Sequence, residues 1–238
     1  MIKGKKFGSN KDEYIHIAGH MNVLEDKEPQ TFTAVSYREG EVQLNITRVV
    51  GIDGTKINSL IEAEVKERIN AFDIIKWPRQ RIRGFEKSFI LSTSPQVGIR
   101  ELRNIIGEYV MTAQDVITCK DFDENIAGGC YPIDIHDHCG GKTMFTFLEG
   151  GGSYGIPYRA LISKGTRNIL TARRCISTTH ESHGTVRIMA TAMATGQAAG
   201  TAAIASNQKV DLRDADISYL KYVLDSQGAI LYMHNRSQ

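Results

Sequence analysis

The run MATAMATGQAAGTAA, from Met189 to Ala203, constrains this chain more than any other stretch. It is almost entirely alanine, threonine and glycine, and alanine is the strongest helix former. A helix built this way carries little apolar area of its own. It has to lie close to a neighbour, and its lack of bulk lets its backbone approach something flat. Its first turn also offers unbonded N–H groups and a positive dipole end to an anion or a polarised carbonyl. Ahead of it, Ile169 and Leu170 read as a short strand, Arg173 and Arg174 follow, and His180, Glu181, His183 and Arg187 read as a polar loop.

At 238 residues the chain has length for one large domain or two small ones. Its 29 basic and 27 acidic residues leave a net charge of +2. That balance carries no electrostatic footprint for nucleic acid or an anionic membrane, so neither is expected as a partner. No apolar run approaches spanning length. Lys3, Lys5 and Lys6 have no apolar segment behind them, so no secretory signal is read. Cys119, Cys130, Cys139 and Cys175 are widely and irregularly spaced, which suits a reduced, cytoplasmic protein. Nothing has C-x-x-C-x-x-C spacing, so no iron–sulfur cluster is expected in the chain.

Strand signals dominate the first third. Thr31–Tyr37 and Glu41–Val50 read as a hairpin turning at Glu39-Gly40, with Val42, Leu44 and Ile46 alternating against polar residues. Ser59 and Glu62 have capping-box spacing. Ile61, Val65, Ile69 and Phe72 then form an apolar helical stripe expected to face the core, and Pro78 is expected to end that helix. Phe89–Leu91 reads as a strand, Thr112 with Asp115 as a helix cap, and Gly128-Gly129 as a helix stop. Asp211–Gly228 reads as an amphipathic helix with Ile217, Leu220, Val223 and Leu224 on its face.

Several side chains are candidates for chemistry. Arg100 and Arg103 stand three apart, so on a helical turn they share a face; two guanidinium groups there bind a carboxylate, or pair structurally with Glu101 or Glu108. Asp134, His136 and His138 alternate beside Cys139, but three ligands strung along one strand do not converge on an ion, so no metal is expected. His136 is kept as a residue near a substrate pocket, and His180 as a proton relay. Tyr158 and Arg159 after Pro157 read as a rigid turn with a packed tyrosine. Gly150, Gly152 and Gly155 satisfy G-x-G-x-x-G formally, but Pro157 follows where a helix would have to open.

Three blocks, PQVGIRELRNIIGEY (Pro95–Tyr109), FDENIAGGCYPIDIHD (Phe122–Asp137) and YGIPYRALISKGTRNIL (Tyr154–Leu170), precede the small-residue segment in order. Together they resemble the C-terminal part of the FAD-dependent oxidoreductase family related to the flavin subunit of heterodisulfide reductase. The resemblance implies an α+β chain. Residues 1–167 would form a mixed-sheet, substrate-side domain, and residues 168–238 would supply the C-terminal strand and helices of an incomplete FAD/NAD(P)-binding, Rossmann-like α/β domain. It implies FAD as cofactor, completed by an N-terminal half or partner subunit that carries the G-x-G-x-x-G unit. It places Arg174, Gly184, Thr185, Val186, Arg187, Thr195 and Gly196 against the flavin, and Arg100, Arg103, His136 and His180 on the side of a small-molecule substrate. The chain departs from the family pattern at Leu102, usually Thr, at Asn104, usually Arg, and at Arg173, usually Gly. The alternative is a non-catalytic truncated fragment or binding module that has lost FAD binding. With its packing partner missing, the small-residue helix is expected to promote self-association or leave the fold marginal.

Overall fold

A computed structural model describes residues 2–3, 32–35, 38, 40–45, 47–81, 84–136, 143–205 and 211–231. The chain divides into two units, Met1–Ile99 with His136–Thr143, and Arg100–Ile135 with Met144–Gln238. It mixes helices with small sheets, an α+β composition. No described helix is long and apolar enough to cross a membrane.

The first unit holds a four-stranded sheet. Its strands are β1 (Ile2–Lys3), β2 (Phe32–Val35), β3 (Glu41–Asn45) and, after the helices, β4 (Phe89–Ile90), in spatial order β2-β3-β1-β4. The expected hairpin is the antiparallel β2–β3 pair, with Val35 opposite Val42. Val42 is buried, Gln43 exposed and Leu44 half-buried, the alternation a one-sided sheet requires.

Between β3 and β4 run α1 (Ile57–Ile74) and the short α2 (Lys76–Arg81). The predicted capping box does not form: Ser59 lies inside the first turn of α1, where its hydroxyl accepts from the Asp53 N–H at 3.0 Å. Pro78 does not end α1 either. It sits in the first turn of α2, where a missing N–H costs nothing because those donors have no helical partner. The apolar stripe is also turned around. Ala63 is the buried residue of α1, while Ile61, Val65, Ile69 and Phe72 are all more than half exposed. Among the described residues the core of this unit is instead Val42, Ile75 and Phe85 with Leu44 and Ile90 packed against it.

The second unit contains α3 (Ala113–Ile117), β5 (Asn125–Gly129), β6 (Ile133–His136) and β7 (Thr143–Thr146) except for their end residues His136 and Thr143, β8 (Tyr154–Pro157), α4 (His180–Val186), α5 (Met189–Ala205) and α6 (Ile217–Ser226). Strands β5 and β8 pair antiparallel, with an irregularity between Asn125 and Ala127, and β6 pairs with β7. The short strand expected at Ile169 and Leu170 is reduced to an isolated antiparallel bridge between Leu170 and Ile162. Gly128 and Gly129, expected to stop a helix, lie in β5; a Cβ at Gly129 would overlap the Tyr154 ring, so the glycine serves a close approach between strands. The expected cap at Thr112 forms with reciprocal bonds to Asp115. Burial would raise the Asp115 pKa, but hydrogen bonds from Thr112, Lys120 and Tyr109 hold it below the ordinary value.

Helix α5 lies on β5 and against α6. Ala198 and Ala202 are buried on the strand side. Helix α6 contributes Leu220 and Leu224, both fully buried, worth about 1.5–3 kcal/mol each in apolar transfer. The opposite side of α5 is open. Met189, Met193, Gly196, Gly200 and Ile204 are exposed at steps of four, three, four and four, one face of the helix.

Candidate functional site

The titratable side chains of the second unit gather where three segments meet: the extended stretch after Arg100, strand β6, and helix α4. The residues read from sequence as a polar loop are largely this helix, His180–Val186, with Arg187 at its C-cap. Ser, Thr, Gly and His are indifferent helix formers. Tertiary burial overrides that preference here, because Ser182, His183, Gly184, Thr185 and Val186 are all buried and the hydroxyls find partners. Ser182 donates to the Met111 carbonyl at 2.7 Å, and Thr185 to the Tyr131 carbonyl at 2.6 Å, with the Tyr154 hydroxyl 2.8 Å away. At Gly184 the helix comes so close to β6 that a Cβ would stand 2.8 Å from the Asp134 carbonyl oxygen.

On α4, His180, His183 and Arg187 are spaced three and four apart and share a face. His180 Nδ1 meets Glu101 Oε2 at 2.6 Å. Arg187 Nη2 donates to the Asp134 carbonyl at 3.1 Å and lies 3.5 Å from its carboxylate Oδ2. Arg100 Nη1 reaches the same Oδ2 at 3.3 Å. Asp134 therefore sits between two guanidinium groups. Burial, followed by the nearby Arg100, lowers the Arg187 pKa from its ordinary value, although a guanidinium stays charged.

His183 is 1% exposed. Its Nδ1 is 3.3 Å from the Thr178 hydroxyl, and its Nε2 is buried with no hydrogen-bond partner among the described residues. Burial pushes its pKa below the ordinary histidine value, against the opposing pull of Glu101. A buried imidazole of this kind favours its neutral form.

Other expected residues fall elsewhere. Arg103 is exposed and makes no ion pair among the described residues. His136 closes β6, but its side chain, like the whole of His138 and Cys139, lies outside the described residues. No metal-holding group of histidine, cysteine and acidic residues occurs among the described residues. Tyr158 is buried, donates to the Leu212 carbonyl at 2.8 Å, and has its pKa pushed up to about 12 by burial; it is a packed turn residue. Arg159 pairs with Glu124.

Arg174 is half-buried in the 3-10 turn Arg173–Cys175. Arg173 itself is exposed with φ +62, and its N–H donates to the buried Thr195 hydroxyl at 3.3 Å. This is the left-handed region, where glycine is favoured. Gly196 is exposed, and a Cβ there would meet nothing within 4 Å. The glycine run at Gly150–Gly155 forms a 3-10 turn followed by strand β8, whereas a dinucleotide fingerprint has to open a helix.

Sequence reasoning missed Glu101 as the partner of His180 and Asp134 as the hub of two arginines. They lie 79, 34 and 53 positions from those partners, and no local period encodes such pairings.

A family model described as FAD dependent oxidoreductase matches residues 5–224. No curated protein and no solved structure matches the chain. With a match that runs through both units, this chain belongs to the FAD-dependent oxidoreductase family.

Proposed function

We propose that this chain is the substrate-side and flavin-closing part of an FAD-dependent oxidoreductase related to the flavin subunit of heterodisulfide reductase. Residues 1–167 face a small-molecule substrate, and residues 168–238 complete an FAD-binding, Rossmann-like domain whose G-x-G-x-x-G unit comes from an N-terminal half or partner subunit. The observation that carries this reading is the open side of α5. Gly196 and Gly200 present bare backbone there, and a Cβ added at either would meet nothing within 4 Å. Met189 and Ala190 leave the start of the helix exposed. A flat sheet or a planar ring fits such a face.

Bound FAD supplies hydride exchange with the substrate. The chain's own residues supply position and charge. Of the residues that the resemblance sets on the cofactor side, Arg174 and Gly196 are accessible, Arg187 is engaged with Asp134, and Gly184, Thr185, Val186 and Thr195 are buried and would act by holding the backbone of that side in place. Arg187, held by Asp134, would supply positive charge to the cofactor side. Arg100, Arg103, His136 and His180 serve the substrate side. Glu101 holds Nδ1 of His180 at 2.6 Å and orients a ring that is 43% exposed, an arrangement suited to moving a proton.

The test is reconstitution. The chain alone is expected to bind FAD poorly, and addition of a separately expressed nucleotide-binding half is expected to give a yellow complex with quenched flavin fluorescence. Flavin absorbance unchanged on mixing would count against the reading. One observation favours the alternative, a fragment that has lost the cofactor. Arg173 puts a side chain where the family resemblance has glycine, in a backbone conformation that suits glycine. If Arg173→Gly alone confers FAD binding on the mixture, the side chain, and not a missing fold, is what blocks it.

A further inference from the structure

Helix α1 carries a second apolar face that no described residue covers, and its charges point to what does. Ile57, Ile61, Val65, Ile69 and Phe72 are 69%, 55%, 53%, 55% and 60% exposed. At four, four, four and three residues apart they make a stripe about 22 Å long. Charged pairs border it on both sides. Glu64 and Arg68 lie along one flank, joined to each other, with Glu64 also accepting from the Val97 N–H and Arg68 reaching the Pro95 carbonyl at 3.5 Å. Glu62 and Lys66 lie along the other, 3.9 Å apart and each more than half exposed. In both pairs the acidic residue precedes the basic one by four, so these four charges are antisymmetric about Val65.

We propose that this face is covered by the same face of a second copy of the chain, in an antiparallel pairing with a two-fold axis through Val65. In that arrangement each flank meets its own counterpart. Glu64 comes within reach of the other copy's Arg68 and Glu62 of its Lys66, giving each flank two opposite-sign contacts against one like-sign contact (Glu64 with Glu64, Lys66 with Lys66), and Ile61 lies opposite its Ile69. A parallel pairing brings opposite flanks together and reverses that balance, with two like-sign contacts (Glu64 with Glu62, Arg68 with Lys66) against one opposite-sign contact (Glu64 with Lys66). Isologous contact through one self-complementary patch is the commonest route to a dimer. The area available to one helix face is in the small, reversible class below about 1,200 Å² in total, consistent with a micromolar Kd of about 1–100 µM. This surface is separate from the open side of α5 and does not depend on the flavin reading.

Sedimentation velocity of the full chain up to about 100 µM tests it. The wild type is expected to show a reversible monomer–dimer equilibrium, and Val65→Glu to weaken it at least about tenfold by placing like charges on the axis. Glu62→Lys and Lys66→Glu alter only exposed side chains. Each alone is expected to weaken the dimer, because that flank then carries one sign of charge and meets itself. Their equimolar mixture is expected to restore it, because the two basic residues of one copy then face the two acidic residues of the other. A wild type that stays monomeric throughout overturns the proposal. So does association untouched by Val65→Glu, or a charge-variant mixture no tighter than its parts. Association lost in Met193→Glu but kept in Val65→Glu would assign it to the open side of α5 and overturn this proposal without touching the flavin reading.

Discussion

Arg173 holds its backbone at φ +62 while its N–H anchors to Thr195. An L side chain in that region costs about 1–2 kcal/mol, and a glycine there adds back about 0.5–1 kcal/mol of unfolded-state entropy. Strain relief wins. Arg173→Gly is expected to stabilise the protein by about 0.5–1 kcal/mol, read as a raised thermal midpoint. His183 makes a second prediction. Its folded pKa lies below the ordinary 6.5, so below that pH the unfolded chain binds the proton more readily than the folded one. Stability from this group is full above the unfolded value and is lost as pH falls toward the folded one. The thermal midpoint should therefore drop more for the wild type than for His183→Gln between about pH 7.5 and about pH 5.5. Equal drops would mean that His183 does not titrate in that window.

Among the elements, the Thr112–Asp115 cap shows how a short helix is held. Helix α3 has five residues, far below the length at which a helix is stable alone. Its reciprocal cap bonds, with Lys120 at 2.9 Å from Asp115, fix its start and orient the Tyr109 hydroxyl onto the same carboxylate. Thr112→Ala is expected to cost about 1 kcal/mol in chemical denaturation. That cap was readable because its donors and acceptors lie three residues apart. Helix α1 was readable as a helix for the same local reason. Which of its faces turns inward depends on neighbours distant in sequence, and the apolar stripe turned outward.

At the scale of the whole molecule the described residues of the two units differ in how much they bury. The second has a continuous core running from Met111 through Tyr154 and Ile176 to Leu231, while the described core of the first is Val42, Ile75 and Phe85. Opening is cheapest where least apolar area is buried. Native-state hydrogen exchange is expected to leave the amides of β5 and β8 protected after those of α1 have exchanged. Equal protection in both would mean a single cooperative fold.

The sequence by itself determined the family, the α5 and α6 helices, the cap of α3 and the alternation along β3. Each is written in contacts within a few residues, or in motifs that run in chain order. Tertiary structure alone decided that His180–Val186 coils into a helix buried from Ser182 onward, that Asp134 bridges Arg100 and Arg187, that Glu101 holds His180, and which sides of α1 and α5 are exposed. Burial and charge pairing are properties of neighbours in space, and local periodicity carries no record of which distant segment those neighbours come from.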